Sequence, residues 1–343
     1  MELLAIGLVI LTISAQLGHR LCRKWLMNQG AVTDGEILVM QCGMGAVMCL
    51  LWYIFLSRWW EPLTPFRANA SLYWIAIVGT TVANIAIQYV NVRATRLGDL
   101  TYVTPIMAMT PGLVVVGALL LGEKPSMMGY AGIALIVGGA YVHAREGSSL
   151  KEYLQPLFIW TLFQPIDHLD EVERKKRFSL RFAYTGALSA TVGLLCDGLL
   201  ARHGNIAFGV MIELISLTIV YALLSNRDIM KKGSEQKELP PLWTRVRSYW
   251  PQMLTAGIFF GTPFILITTA FRLAPISYIG SLKRLSIPLT MLLALWFLGE
   301  RTSSKRRLIT GAIITAGAVI LTFDPTPAHM IGSLEDLLQR MVG

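Results

Sequence analysis

Long apolar runs recur at steady intervals along the 343 residues. Ten stand out, over 3–20, 36–57, 71–91, 99–121, 127–144, 181–201, 205–224, 251–271, 275–298 and 308–323. Each is near the ~20 residues that a helix needs to cross a bilayer. Backbone groups find no water in hydrocarbon, so these runs predict helices. A transmembrane barrel would need alternating segments of about ten residues, and these are absent. The pattern predicts an all-α membrane protein with ten transmembrane helices.

The runs also repeat. "RLGDLTYVTPIMAMTPGLVVVGALLLGEKP" at 96–125 matches "RLAPISYIGSLKRLSIPLTMLLALWFLGERT" at 272–302. Arg96 answers to Arg272 and Tyr102 to Tyr278. Pro111 and Pro288 each precede a Leu-Gly-Glu-basic turn, at 121–124 and 298–301. A glycine-patterned segment follows each turn, with Gly132 and Gly138 matching Gly311 and Gly317. The chain therefore divides into a five-helix repeat at 1–145, a linker at 146–180, a second five-helix repeat at 181–324 and a tail at 325–343. Five is odd, so the two repeats enter the membrane in opposite directions, as inverted repeats of secondary transporters do.

Composition agrees with a membrane location. The chain is 54% hydrophobic and 15% charged, with a mean hydropathy of +0.55. The net charge of +9 raises the question of nucleic acid. Placement argues for topology instead. Most of the 30 Lys and Arg residues fall in odd-numbered connections, such as Arg174, Lys175, Lys176 and Arg177 after the fifth run. Basic loops stay cytoplasmic, which puts both termini on the non-cytoplasmic side. Contact with anionic lipid heads accounts for the same clusters. The first run lacks the basic start of a signal peptide, and the repeat needs it as a helix.

The linker holds "LKEYLQPLFIWTLF", which suits either a plain connection or an interfacial segment with Phe158, Trp160 and Phe163 dipped into the inner leaflet. The tail suits a short capped helix from about Ser333. Cys22, Cys42, Cys49 and Cys196 fit no metal spacing and read as small buried residues. Gly122-Glu123-Lys124-Pro125 is not a phosphate-cradling loop. No cofactor is expected, and ATP driving is disfavoured.

The doubled proline helix, Leu-Gly-Glu turn and glycine-patterned helix resemble the drug/metabolite transporter superfamily, in particular its ten-helix EamA-type members. The resemblance covers nearly the whole chain. It implies a central cavity enclosed by helices 1–4 and 6–9, with helices 5 and 10 packed outside. It further implies alternating access for small metabolites, amino acids, nucleotide sugars or drugs. The chain departs from several eukaryotic members, whose termini are cytosolic.

Candidate site residues are polar groups at membrane depth, which rarely face lipid. Glu213 lies mid-run, suited to proton carriage, solute contact or an ion pair with Lys283 or Arg284. Asp197 near the end of the sixth run suits an amine contact or gate, or a helix-end charge reaching water or Arg202. Lys283 and Arg284 lie well inside the ninth run, and the repeat's "TPIMAM" carries no counterpart. Adjacent helical residues point about 100° apart, so only one would face a small site squarely. Gln16 shares a helix face with His19, and Asn84 shares one with Gln88. His19, beside Arg20 near the inner end, reads as interfacial; Gln16, Asn84 and Gln88, with Tyr89 and Tyr102, suit a polar or amphipathic solute, or ordinary packing. Pro111 and Pro288 are candidate kinks or hinges.

Three functions compete on these grounds. The first is a proton- or exchange-coupled exporter in a bacterial inner membrane. The second is a flippase for an amphipathic solute. The third, disfavoured for want of a nucleophile–base pair, is an intramembrane enzyme. Expected partners are a small or amphipathic solute and membrane lipids, not nucleic acid. The oligomeric state stays open, with a homodimer among the alternatives.

Overall fold

A computed structural model describes residues 3–28, 34–56, 70–97, 109–120, 125–144, 170–225, 242–286, 289 and 304–324. Among these the secondary structure is helical. The helices are α1 (Leu3–Asn28), α2 (Asp34–Leu51), α3 (Ala70–Leu97), α4 (Thr110–Leu120) and α5 (Met127–Ala144). Then come α6 (Glu171–His203), α7 (Ile206–Ser225), α8 (Leu242–Leu273), α9 (Ile276–Leu282) and α10 (Ser304–Thr322). A π turn, Trp52–Leu56, ends α2, and a 3₁₀ turn, Lys283–Leu285, ends α9. Among the described residues, five stretches are long and apolar enough to cross a membrane: Gly35–Phe55, Ala70–Val90, Arg181–His203, Ile206–Leu224 and Ser248–Leu273.

Several helices outrun their apolar sequence. α6 starts at Glu171 inside the expected linker, and α8 starts at Leu242, ahead of the apolar run that begins at 251. Glu, Arg and Lys are good helix formers, so hydropathy marks the lipid-facing part of a helix and not its end. The interfacial segment near Trp160, the Leu-Gly-Glu turns and the tail helix lie outside the described residues.

Helix boundaries follow from local chemistry. Gly204 and Asn205 separate α6 from α7, and the Asn205 Oδ1 accepts the backbone N–H of Phe208 at 3.0 Å. That is an N-cap. Ser126 caps α5 in the same way, accepting the Gly129 N–H at 3.0 Å. Pro275 stands just before α9, where its missing N–H costs nothing.

The chain packs as two compact units. Unit I holds Leu3–Thr81 and Cys196–Arg272. Unit II takes the described residues of Val82–Leu195 and Leu273–Gly343. The chain passes between them within α3, within α6 and at the last residue of α8. Neither unit is one sequence half.

In unit I, α2 packs on α7. A Cβ added at Gly43 would lie 3.6 Å from Thr218, and one at Gly45 3.2 Å from Leu214. Contact thus moves backward along α7 as α2 advances, so the pair is antiparallel. In unit II, α5 packs on α10. A Cβ at Gly132 would lie 2.9 Å from the Gly317 carbonyl, and one at Gly139 2.9 Å from Ile314. This pair is antiparallel too, and its glycines let the backbones approach. Gly138, the repeat match of Gly317, faces open space. α4 also packs on α9, with Gly280 opposite Val114.

Candidate functional site

Unit I carries the two carboxylates. Glu213, on α7, is fully buried. It interacts electrostatically with Cys49 of α2, while Cys196 senses both Asp197 and Glu213. The two acids and two thiols therefore share one neighbourhood. All four cysteines are free thiols. Burial pushes the Cys22 thiol up, beyond the apolar part of α1. Among the described residues no group of His, Cys, Asp and Glu suits a metal.

Asp197 is buried and accepts a hydrogen bond from Thr80 Oγ1 at 2.6 Å. A buried carboxylate needs such a donor. The turn just beyond it is gripped from two sides. The Arg272 guanidinium donates to the carbonyls of Ala201 and Gly204. The Tyr73 hydroxyl donates to the Asn205 carbonyl at 2.7 Å. Arg272 thus satisfies a carbonyl that the end of α6 leaves open and the one just past it, while Tyr73 holds the first carbonyl of α7, which also accepts the Gly209 N–H. Sequence reasoning gave neither residue this role, although Arg272 stood out as the repeat partner of Arg96.

Gln16 is half-buried on α1. His19, one turn on, places Nδ1 3.3 Å from the Ala256 carbonyl and its ring against Phe260. Gln41 on α2 is a further buried amide. Neither of its polar atoms has a hydrogen-bond partner. Its signal in the sequence is a lone amide inside the second apolar run.

Unit II carries the basic pair. Lys283 and Arg284 are half-buried and stand in the 3₁₀ turn, not in a continuous α-helix. Steps in a 3₁₀ turn are about 120°, so the two side chains diverge more than α-helical neighbours would. α9 before them is buried at every position from Ile276 to Leu282. Asn84 and Gln88, on the unit II part of α3, are half-buried. Tyr89 meets Phe182 edge-on, with ring centroids 6.4 Å apart.

Pro111 sits in the first turn of α4, behind a turn at Met109. A first-turn N–H has no intrahelical partner, so this proline costs α4 no hydrogen bond. Tyr102 and Pro288 lie outside the described residues. One constellation escaped the sequence reading: Tyr278, Asp324 and Ser126 meet in unit II. Its only signal was the match of Tyr278 to Tyr102.

The chain is similar to a protein of known crystal structure at 16% identity, covering 93% of this chain and 97% of that one, with a TM-score of 0.64. That likeness concerns the fold alone. No curated protein matches the chain. A sequence model of the EamA-like transporter family matches residues 22–145. Over that stretch the chain is similar to the EamA-like transporter family, which belongs to the drug/metabolite transporter superfamily.

Proposed function

We propose that this chain is a secondary transporter of the bacterial inner membrane. It exports a small metabolite, amino acid or drug-like solute by alternating access, coupled to protons or to exchange. Its ten helices form two inverted five-helix repeats, and both termini lie on the non-cytoplasmic side.

The observation that carries this reading is which helices pair. α2 and α7 hold matching places in the two sequence halves, as do α5 and α10, and α4 and α9. Each pair packs together inside one unit. The first two pairs run antiparallel. A two-fold axis in the membrane plane relates repeats in this way. Glu213 and Asp197 serve as coupling or solute groups. Lys283 and Arg284 bind an anionic part of the solute or balance the acids. Gln16, Asn84, Gln88 and Tyr102 supply polar contacts.

A thermal-shift screen of detergent-purified protein, with solutes grouped by charge, tests the site. A binder stabilises the folded form by mass action. Stabilisation by anions or zwitterions that Arg284→Ala abolishes assigns the basic pair to the solute. Stabilisation by amines that Glu213→Gln abolishes assigns the carboxylates instead. Liposomes holding the purified protein then test movement. A solute that crosses unchanged supports transport, and one that is chemically converted overturns it.

A further inference from the structure

We propose that Tyr278, Asp324 and Ser126 are positioning residues that hold the Lys283–Arg284 segment in register. The role rests on the reading of that basic pair as part of the transport site. The three side chains come from three places: the first turn of α9, the residue position just past α10, and the N-cap of α5.

The contacts are specific. Asp324 Oδ2 accepts from the Tyr278 hydroxyl and from Ser126 Oγ, the latter at 2.7 Å. The Ser126 backbone N–H donates to the Tyr278 oxygen at 3.4 Å. Ser126 Oγ also accepts the Gly129 N–H, so one hydroxyl both caps α5 and serves the carboxylate. Tyr278 and Asp324 are each only 2% exposed. A carboxylate so buried is held where its donors are. Gly129 completes the arrangement. A Cβ there would lie 2.7 Å from Asp324 Oδ2 and would overlap the tyrosine hydroxyl.

The network acts on the basic pair through α9. Tyr278 precedes Lys283 by five residues, about 8 Å of helix. Every residue from Ile276 to Leu282 is buried, so this short helix can transmit a fixed position. Past Leu282 the α-helical pattern gives way to the 3₁₀ turn. The start of α9 is then the anchored side of the basic segment.

Hydrogen exchange of the full-length protein in detergent, read by mass spectrometry, tests the role without a known solute. In Tyr278→Phe, amides of 279–286 should exchange about tenfold faster, while those of α5 and α10 stay protected. Lys283 should become more reactive to an acetylating reagent in step. Asp324→Asn keeps one acceptor oxygen and should fall between wild type and Asp324→Ala. Gly129→Ala displaces the hydroxyl without changing charge and should behave like Tyr278→Phe, should Asp324→Ala fail to fold. Unchanged exchange at 279–286 in both Tyr278→Phe and Gly129→Ala overturns the proposal. A uniform rise across α5, α9 and α10 also overturns it, because the tie would then be general packing. These outcomes are independent of transport in liposomes, so the positioning role and the transporter reading fail separately.

Discussion

Asp197 survives burial because Thr80 donates to it. Thr80→Val keeps the shape and removes the donor. The expected loss is about 1–3 kcal/mol, seen as a lower Tm in detergent, with Thr80→Ser restoring it. An unchanged Tm would mean that another group carries the carboxylate. The two arginines invite a contrast. Arg272 closes the end of α6 through two carbonyls. Arg272→Ala should therefore cost about 1.5–3 kcal/mol of stability per hydrogen bond to a charged donor. Arg284→Ala should leave the Tm near wild type and depress transport further than Arg272→Ala does in the surviving folded protein. Equal transport in the two would argue against a solute role for Arg284. Glu213→Gln should fold and lose the pH dependence of transport, so a pH profile that persists in the mutant removes Glu213 from coupling. Glu213 and Asp197 were legible in the sequence because a charge inside an apolar run is conspicuous. Tyr278 and Asp324 were not: a tyrosine is ordinary in such a run, and Asp324 falls just past the last one.

Among the elements, the glycine segments separate what a repeat can tell from what it cannot. The matched spacing of six marked α5 and α10 as equivalents, and the structure packs them on one another. It did not identify the contacting glycines. Residues 132 and 139 are seven apart, about two helical turns, and share a face; residue 138 points elsewhere. Gly132→Ala must push into the Gly317 backbone and should destabilise by about 1–3 kcal/mol. Gly138→Ala enters open space and should hold the Tm or raise it, gaining up to about 0.5–1 kcal/mol of helix preference. Thermal melts of the two variants side by side check the pairing, and the reverse order would contradict it. Proline carried a similar ambiguity. Midway along an apolar run, Pro111 resembled a kink, but its effect depends on where the helix begins, and hydropathy does not mark that.

For the whole molecule, the charge pattern predicts orientation. A cysteine appended after Gly343 should react with an impermeant maleimide in intact cells, and Lys231→Cys should react only after lysis. The opposite result would invert the topology. The grouping of helices was less legible. A sequence repeat names equivalent helices but does not say that equivalents touch, so two successive halves did not foretell units built from both. One such partnership bears on how the chain is made. Ser126 and Asp324 are 198 positions apart. At roughly 5–20 residues per second, about 10–40 s separate their synthesis. During that interval α5 waits in the membrane with the groove for α10 unfilled and its glycine face uncovered. A ribosome stalled before residue 304 would leave this early half exposed to the insertion machinery, to chaperones and to proteolysis. The time at which α10 is made therefore sets how long the glycine face of α5 stays uncovered.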